Sequence, residues 1–338
     1  MAFSVHWYDL LCFALLAAAL AASLSCILAG ERSCKARVSS LYRRLLSGGE
    51  GGGGGGGGGG EADEVLVCEL WISRWRAVHP AALLGVRLAA AASMIGVFIW
   101  DLRTYDWSIM LYYTEWTFLL VIIYFLIASV ISAYGCWIYG KCATENDEAN
   151  AFLKGDVAVD VPVTLNATNR NKNASKSHSY YERGYCQQKA GFWGYLMLIA
   201  YQTSAGAVVL TDIVFWALLV PVLSDEHFKL DLLMGCMHTL NFIFLLLDTT
   251  LNSLPFPWFR MAYFVLWSCI YVIFQWILHA CGFSWWPYPF LELSTPWAPL
   301  WYLCLGLVHI PCYGIYALIV SVKNSLLSRI SCHAYRRS

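Results

Sequence analysis

The chain has 338 residues, of which 59% are hydrophobic and only 13% carry a charged side chain, about half the share in a typical soluble domain. Lys and Arg balance Asp and Glu at 22 each, so no basic field indicates nucleic acid, and we expect no nucleic-acid partner. This composition excludes an ordinary water-soluble domain and indicates a protein that lies within a membrane.

Seven stretches are apolar and long enough to cross the roughly 30 Å hydrocarbon core of a bilayer as helices. The fold class that they predict is all-α, a polytopic transmembrane helix bundle of about seven spans. The fourth stretch is too long for one simple span, and its start, GFWGYLMLIAYQTS, favours an interfacial helix before a membrane part from about Thr203 to Leu223. The seven stretches are 7–29, 80–100, 109–138, 192–223, 230–251, 261–281 and 298–322.

Basic residues predict how the chain is oriented. No Lys or Arg precedes the first stretch, whereas five follow it closely, which is the reverse of a cleaved signal peptide. If the spans alternate, 19 of the 22 Lys and Arg lie on one side of the membrane. By the positive-inside rule that side is cytoplasmic, so the N-terminus lies outside and the C-terminus inside, in the plasma membrane or the endoplasmic reticulum.

The segments between the spans differ in composition. Gly51–Gly60 form an uninterrupted glycine tract, which predicts a flexible linker. Residues 139–190 are polar and poor in apolar side chains, which predicts a largely disordered cytoplasmic loop. The predicted division is a first transmembrane helix (1–29), a cytoplasmic segment with the disordered Gly-rich linker (30–79), the transmembrane bundle (80–322) and a basic cytoplasmic tail (323–338).

Few ionisable side chains are expected inside the membrane, away from the first residues of the apolar stretches. At bilayer depth each costs about 2.5–3.5 kcal/mol on insertion scales, so each is expected to face the bundle interior with a partner or a task. These residues are Arg87, Glu115, Asp212, His238, Asp248, His279 and His309.

The fifth stretch has one polar face. His238, Asn241 and Asp248 fall within an arc of about 80° on a helix, which indicates a seam that faces other helices, because lipid offers these groups no hydrogen-bond partner. Asp248 and Arg87 both approach the cytoplasmic side, and we expect them to form a structural ion pair. Asp212 is the other candidate partner for Arg87.

Thr114 and His238 are expected to meet. The helical rise places Thr114 about 8 Å and His238 about 12 Å below the outer boundary of the membrane. A hydroxyl and an imidazole can act as the nucleophile and general base of a hydrolase, but a histidine can also make an interhelical hydrogen bond that only fixes packing. His279, His309 and Glu115 are expected to border or support the same pocket.

Three stretches carry a resemblance to known proteins: YYTEWTFLLVIIYF (112–125), GCMHTLNFIFLLLDTTLN (235–252) and LHACGFSWWPYPFLE (278–292). Together they resemble the rolling-stone proteins and, more distantly, the androgen-induced membrane protein family, over about residues 100–322. Uncharacterised plant members of this superfamily look most similar. Rolling-stone members are associated with myoblast fusion, whereas the androgen-induced proteins are intramembrane hydrolases of fatty acid esters of hydroxy fatty acids. The resemblance implies that Thr114 and His238 match the catalytic threonine and histidine of that family.

Two functional hypotheses follow. In the first, Thr114 attacks a lipid ester, His238 takes its proton, and Asn241 or His279 holds the oxyanion, while the substrate enters from the outer leaflet. In the second, the protein is a non-enzymatic scaffold or receptor-like protein of the rolling-stone type, whose polar seam locks helices together. The outer loop WWPYPFLELSTPW then serves as an interfacial anchor.

Metal-dependent hydrolysis and transport are less well supported by the sequence. The three intramembrane histidines lie on three different spans without the close pairs that zinc sites use, so we expect neither a metal nor another cofactor. The intramembrane charges are too few to favour a channel or transporter. The expected partners are membrane lipids and a lipid-ester substrate; the sequence identifies no protein partner.

Overall fold

The computed structural model describes residues 6–46, 67–75, 78–155, 190–220 and 232–330. Within these ranges the chain is helical, with seven helices long and apolar enough to cross a membrane. The chain is therefore a multi-pass membrane protein, as its composition predicts. The helices are α1 (Trp7–Leu46), α2 (Pro80–Tyr105), α3 (Tyr113–Gly155), α4 (Phe192–Ile213), α5 (Leu232–Leu251), α6 (Met261–Ala280) and α7 (Ala298–Ile330).

Several helices extend beyond the apolar stretches that predict them. α1 continues to Leu46, and α3 continues to Gly155, into the segment predicted to be a disordered loop. Hydropathy marks where a chain leaves the hydrocarbon layer, whereas a helix can continue into water. The glycine tract, the rest of the predicted loop and the end of the basic tail lie outside the described residues.

α4 is the central helix of the bundle, because 78% of its most apolar stretch is buried, against 17% to 50% in the other six helices. It contacts α3, α5, α6 and α7. The predicted interfacial start is corrected: α4 is continuous from Phe192, and Gly194, Met197 and Leu198 in its first turns are buried. A π-helical segment, Val214–Leu219, follows it directly.

Glycines allow the closest approaches between elements. A Cβ atom built on Gly206 of α4 would lie 2.6 Å from a ring carbon of Phe264 of α6. One built on Gly135 of α3 would lie 2.2 Å from the indole of Trp71. Real Cβ atoms do not approach so closely, so these two contacts require glycine, as do many close contacts between membrane helices.

Short non-helical segments close both ends of the bundle. At the Leu251 end, the C-terminus of α5, the Ser73 hydroxyl and the Arg74 backbone N–H both donate to the Leu251 carbonyl, at 2.9 and 3.0 Å. At the Tyr288 end, the loop 281–297 folds back so that Tyr288 and Leu291 are buried. The site described next lies toward the Tyr288 end.

Arg87 of α2 and Asp248 of α5 pair near the Leu251 end. Arg87 Nε donates to Asp248 Oδ1 at 2.8 Å, and both side chains are completely buried. Arg87 also donates to Ser132 Oγ of α3 at 2.6 Å. Tyr124 and Asn252 donate to the other oxygen of Asp248, so one polar cluster joins α2, α3 and α5.

Candidate functional site

Thr114 and His238 line the same two cavities. The first, which we call the His309 cavity, has a volume of about 100 Å³. The second, the Glu115 cavity, has a volume of about 420 Å³. Tyr288 also lines both, so the two cavities share these three residues. The His309 cavity is further lined by Tyr113, Thr211, Ser268, Tyr271, Leu291 and His309, and the Glu115 cavity by Asp101, Ser108, Tyr112, Glu115, Phe215 and Met237.

Thr114 reaches the cavities because α3 begins beside them. A 3-10 turn, Asp106–Leu111, leads into α3, which starts at Tyr113 and places Thr114 in its first turn. The backbone N–H of Tyr113 donates to the Tyr288 hydroxyl at 3.1 Å, and the Thr114 side chain interacts with the same hydroxyl. These contacts hold the start of α3 against the loop 281–297.

Tyr288 is the residue through which the loop 281–297 contributes to the site. Burial raises the pKa of the Tyr288 phenol to about 12, with hydrogen bonds from Thr114 and Tyr113 opposing the shift, so the phenol keeps its proton at neutral pH. The sequence predicts an interfacial anchor here, and Trp285 and Trp297 are indeed exposed as an anchor requires. Some residues of this short loop are therefore exposed, whereas others line the cavities.

His238 lies against two side chains of the central helix and its π-helical extension. Its ring stacks on Phe215, with centroids 3.7 Å apart and an interplanar angle of 8°. Its Nδ1 lies 3.7 Å from Asp212 Oδ1, and in the described structure neither atom has a hydrogen-bond partner. A movement of about 1 Å would make this a hydrogen bond. Phe215 belongs to the π-helical segment, a feature that frequently marks functional sites.

The structure assigns the two aspartates different partners. Asp248 pairs with Arg87, whereas Asp212, the other partner considered for Arg87, lies beside His238 instead. An acid next to one imidazole nitrogen can fix the tautomer and orientation of a general base, as the acid does in a catalytic triad. The sequence placed Asp212 in an apolar helix but gave no signal for which helix it faces.

Two carboxylates lie in the wall of the Glu115 cavity. Glu115 and Asp101 are both buried, and Glu115 Oε2 and Asp101 Oδ2 have no hydrogen-bond partner among the described residues. The sequence predicts Glu115 near the pocket, and it lies there. Asp101 was missed because it falls just past the apolar stretch 80–100, where hydropathy alone predicts a surface position.

Two residues considered for oxyanion support line neither cavity. The Asn241 side-chain amide donates to the Met237 carbonyl of its own helix at 2.8 Å. His279 Nδ1 lies 2.8 Å from the Gln275 carbonyl, and the His279 ring stacks on Trp286 with centroids 3.5 Å apart. Because neither residue lines a cavity, the geometry gives no support to an oxyanion role for either of them.

His309 reaches the cavity that bears its name, as expected. Its Nε2 lies 2.8 Å from Ser268 Oγ of α6, and Ser268 lines the same cavity. No sequence pattern marks Ser268, which is a single hydroxyl within an apolar helix.

The three intramembrane histidines do not converge. In the parts of the chain that the structure describes, no group of three or more His, Cys, Asp or Glu side chains is placed to hold a metal ion.

Comparison of the chain with protein families, with curated proteins and with solved structures found no match. The fold and the cavities thus define a multi-pass helical membrane protein with a polar site enclosed by α2–α7 and the loop 281–297.

Proposed function

We propose that this protein is an intramembrane hydrolase of lipid esters in which Thr114 is the nucleophile and His238 the general base. The observation that carries the proposal is that these two side chains, from α3 and α5, line the same two cavities. The resemblance to the androgen-induced membrane proteins points to the same pair, and to fatty acid esters of hydroxy fatty acids as substrates.

In this mechanism Thr114 Oγ1 attacks the ester carbonyl carbon and its proton passes to His238. The carbon–oxygen bond to the alcohol then breaks, and His238 returns the proton to the departing oxygen. Water, deprotonated by His238, releases the acid from Thr114. Tyr288 donates its phenol hydrogen to the oxyanion, a role for which it must stay protonated. Asp212 orients the imidazole.

The cavities suit an acyl-chain substrate. The Glu115 cavity, at about 420 Å³, falls within the range of about 300–1,000 Å³ typical of ligand sites. A further cavity of about 260 Å³ lies between α1, α6 and α7 and shares Ser268, Leu305 and His309 with the His309 cavity. Leu303 and Leu307 of α7 line this cavity and are exposed, so an acyl chain that lies in the membrane can approach it from the side. With the N-terminus outside, the Tyr288 end faces outward and the substrate comes from the outer leaflet.

Ester hydrolysis by the purified, detergent-solubilised protein tests the proposal. The substrates are a panel of lipid esters that includes branched fatty acid esters of hydroxy fatty acids. Thr114→Val and His238→Gln are each expected to lower kcat by at least about 100-fold. Thr117→Val is the matched control, because Thr117 lies one turn further along α3 and lines neither cavity. Full activity in a folded Thr114→Val variant would exclude Thr114 as the nucleophile.

A non-enzymatic scaffold of the rolling-stone type is the second candidate. The His309 cavity is small, at about 100 Å³, and Tyr113, Tyr271 and Tyr288 take up much of its wall. Aromatic filling of this kind favours a site that fixes helices over one that admits a substrate. In that case no ester in the panel is turned over, and no ester raises the thermal stability of the protein.

A further inference from the structure

A second hydroxyl–imidazole pair lies in the wall of the His309 cavity, apart from Thr114 and His238. Ser268 Oγ of α6 and His309 Nε2 of α7 are 2.8 Å apart, a hydrogen-bond distance. His309 is buried, and its ring packs against Phe264 with centroids 4.4 Å apart. In this pair the hydroxyl and the imidazole are already within hydrogen-bond distance.

The protonation of the His309 ring follows from its other contact. Nδ1 lies 2.6 Å from the Leu305 carbonyl oxygen, which can only accept, so Nδ1 carries the hydrogen. In the neutral imidazole the lone pair is then on Nε2, facing Ser268. A backbone carbonyl that fixes the tautomer of a histidine in this way makes the opposite nitrogen a base.

Tyr113 completes the group. Its hydroxyl lies 2.8 Å from Ser268 Oγ, so it can donate to the serine oxygen. Ser268 Oγ also lies 3.3 Å from the Phe264 carbonyl oxygen, but His309 Nε2 is closer, at 2.8 Å, and is the better acceptor for the serine hydrogen. This contact holds the serine oxygen in place while its own hydrogen is directed at the imidazole. The order Tyr113, Ser268, His309, Leu305 is thus a hydrogen-bonded relay that runs from α3 through α6 to α7.

Both reactive side chains are accessible from within the protein. Ser268 and His309 line the His309 cavity and also the cavity between α1, α6 and α7. A bond that served only to pack α6 against α7 would be worth roughly 0.6 kcal/mol in a membrane and would not need to border two cavities.

We propose that Ser268 is a second nucleophile of this protein, activated by His309, and that it accepts the acyl group of an ester with a long chain. Ser268 Oγ bonds to the carbonyl carbon while its proton moves to His309 Nε2. The bond from that carbon to the alcohol oxygen breaks, and His309 protonates the departing alcohol. Water, activated by the same imidazole, releases the fatty acid and restores Ser268. The choice of an ester as the substrate rests on the proposed function, whereas the assignment of Ser268 as a nucleophile does not.

Reaction with an alkyl fluorophosphonate, followed by peptide mass spectrometry of the full chain in detergent, tests this proposal. We expect the phosphonyl group on Ser268 in the wild type and in Thr114→Val, and none there in Ser268→Ala. His309→Gln is expected to slow labelling of Ser268 at least tenfold. Ser204→Ala is the matched control, because Ser204 is fully buried in α4, lines neither cavity and should leave labelling unchanged.

The outcomes separate this proposal from the Thr114 mechanism. Label on Thr114 but not on Ser268 would overturn the Ser268 proposal and leave the proposed function intact. Label on Ser268 alone, with ester turnover lost only in Ser268→Ala, would support Ser268 and remove Thr114. Absence of label from both residues in a protein of normal thermal stability would refute both. Since Ser268→Ala removes only one oxygen, the test stands even if His309→Gln does not fold.

Discussion

Arg87 and Asp248 form an ion pair that is sealed from solvent, with 2.8 Å between Arg87 Nε and Asp248 Oδ1 and no exposed surface on either side chain. Leu70 supplies a backbone carbonyl to Arg87 at 2.8 Å, and Tyr124 donates to Asp248. The hydrogen bonds that flank the pair offset part of the cost of burying both charges. Its role is structural, because neither residue lines the cavities of Thr114 and His238.

Asp248→Ala should destabilise the protein strongly. It leaves the Arg87 charge buried without a partner, which typically costs about 3–5 kcal/mol. Titration with a denaturing detergent measures the decrease in the free energy of unfolding. The double variant Arg87→Met/Asp248→Met removes both charges and should recover most of it. A single variant as stable as the wild type would show that water or another group replaces the missing carboxylate.

Asp212→Asn should lower turnover without weakening substrate binding. The amide keeps the size of the side chain but removes the negative charge 3.7 Å from His238 Nδ1, so the imidazolium formed in the reaction is less stabilised. We expect kcat for ester hydrolysis to fall about tenfold or more, with KM nearly unchanged. The control is Asp106→Asn, which alters an exposed acid that lines neither cavity and should leave kcat unchanged. Equal kcat in wild type and Asp212→Asn would contradict the orienting role.

Gly206→Ala and Gly235→Ala should have different effects on stability. The new Cβ at Gly206 meets the buried ring of Phe264 at 2.6 Å, so α4 and α6 must move apart, at a cost of about 1–3 kcal/mol. Gly235 in α5 has no atom within 4 Å of the same position, and alanine there should be neutral or stabilise the helix by up to about 1 kcal/mol. Thermal unfolding of both variants in detergent gives the comparison. Equal melting temperatures would mean that the α4–α6 contact is looser in solution.

The predicted orientation places the N-terminus outside and the C-terminus in the cytoplasm. A glycosylation acceptor sequence fused before the first residue should therefore be modified in microsomes, and one fused after the last should not. The measurement is the shift in electrophoretic mobility and its reversal by a glycosidase. Modification of the C-terminal tag alone would show that the topology is inverted and that the Tyr288 end faces the cytoplasm.

The number and class of the helices could be predicted from the sequence, because hydrocarbon imposes a minimum length and excludes unpaired backbone groups. Periodicity also identified the polar face of α5. Asp248, on this face, forms an ion pair with Arg87, and His238, on the same face, lines the same cavities as Thr114. For Arg87 and Asp248, depth and helix face were enough to predict the contact.

Other contacts depended on information that periodicity lacks. Periodicity places a residue on a face but does not say which helix lies opposite. It therefore allows Asp212 as a partner for Arg87, although Asp212 lies beside His238. Ser268 has no neighbours in sequence that mark it, and its partner His309 comes from the next helix. Tyr288 belongs to a loop, where neither helical nor strand periodicity applies.

The central position of α4 has a consequence for biosynthesis. Gln202 in this helix donates to the Pro255 carbonyl at 2.6 Å and accepts from Arg260, and Tyr201 bonds Thr249 at 2.8 Å. All three partners follow α4 in the chain and are therefore translated after it. Since unsatisfied polar groups are costly in lipid, α4 must be held by the insertion machinery or by earlier helices until α5 and α6 arrive. Translation that pauses between α4 and α5 would expose the core of this protein to the bilayer.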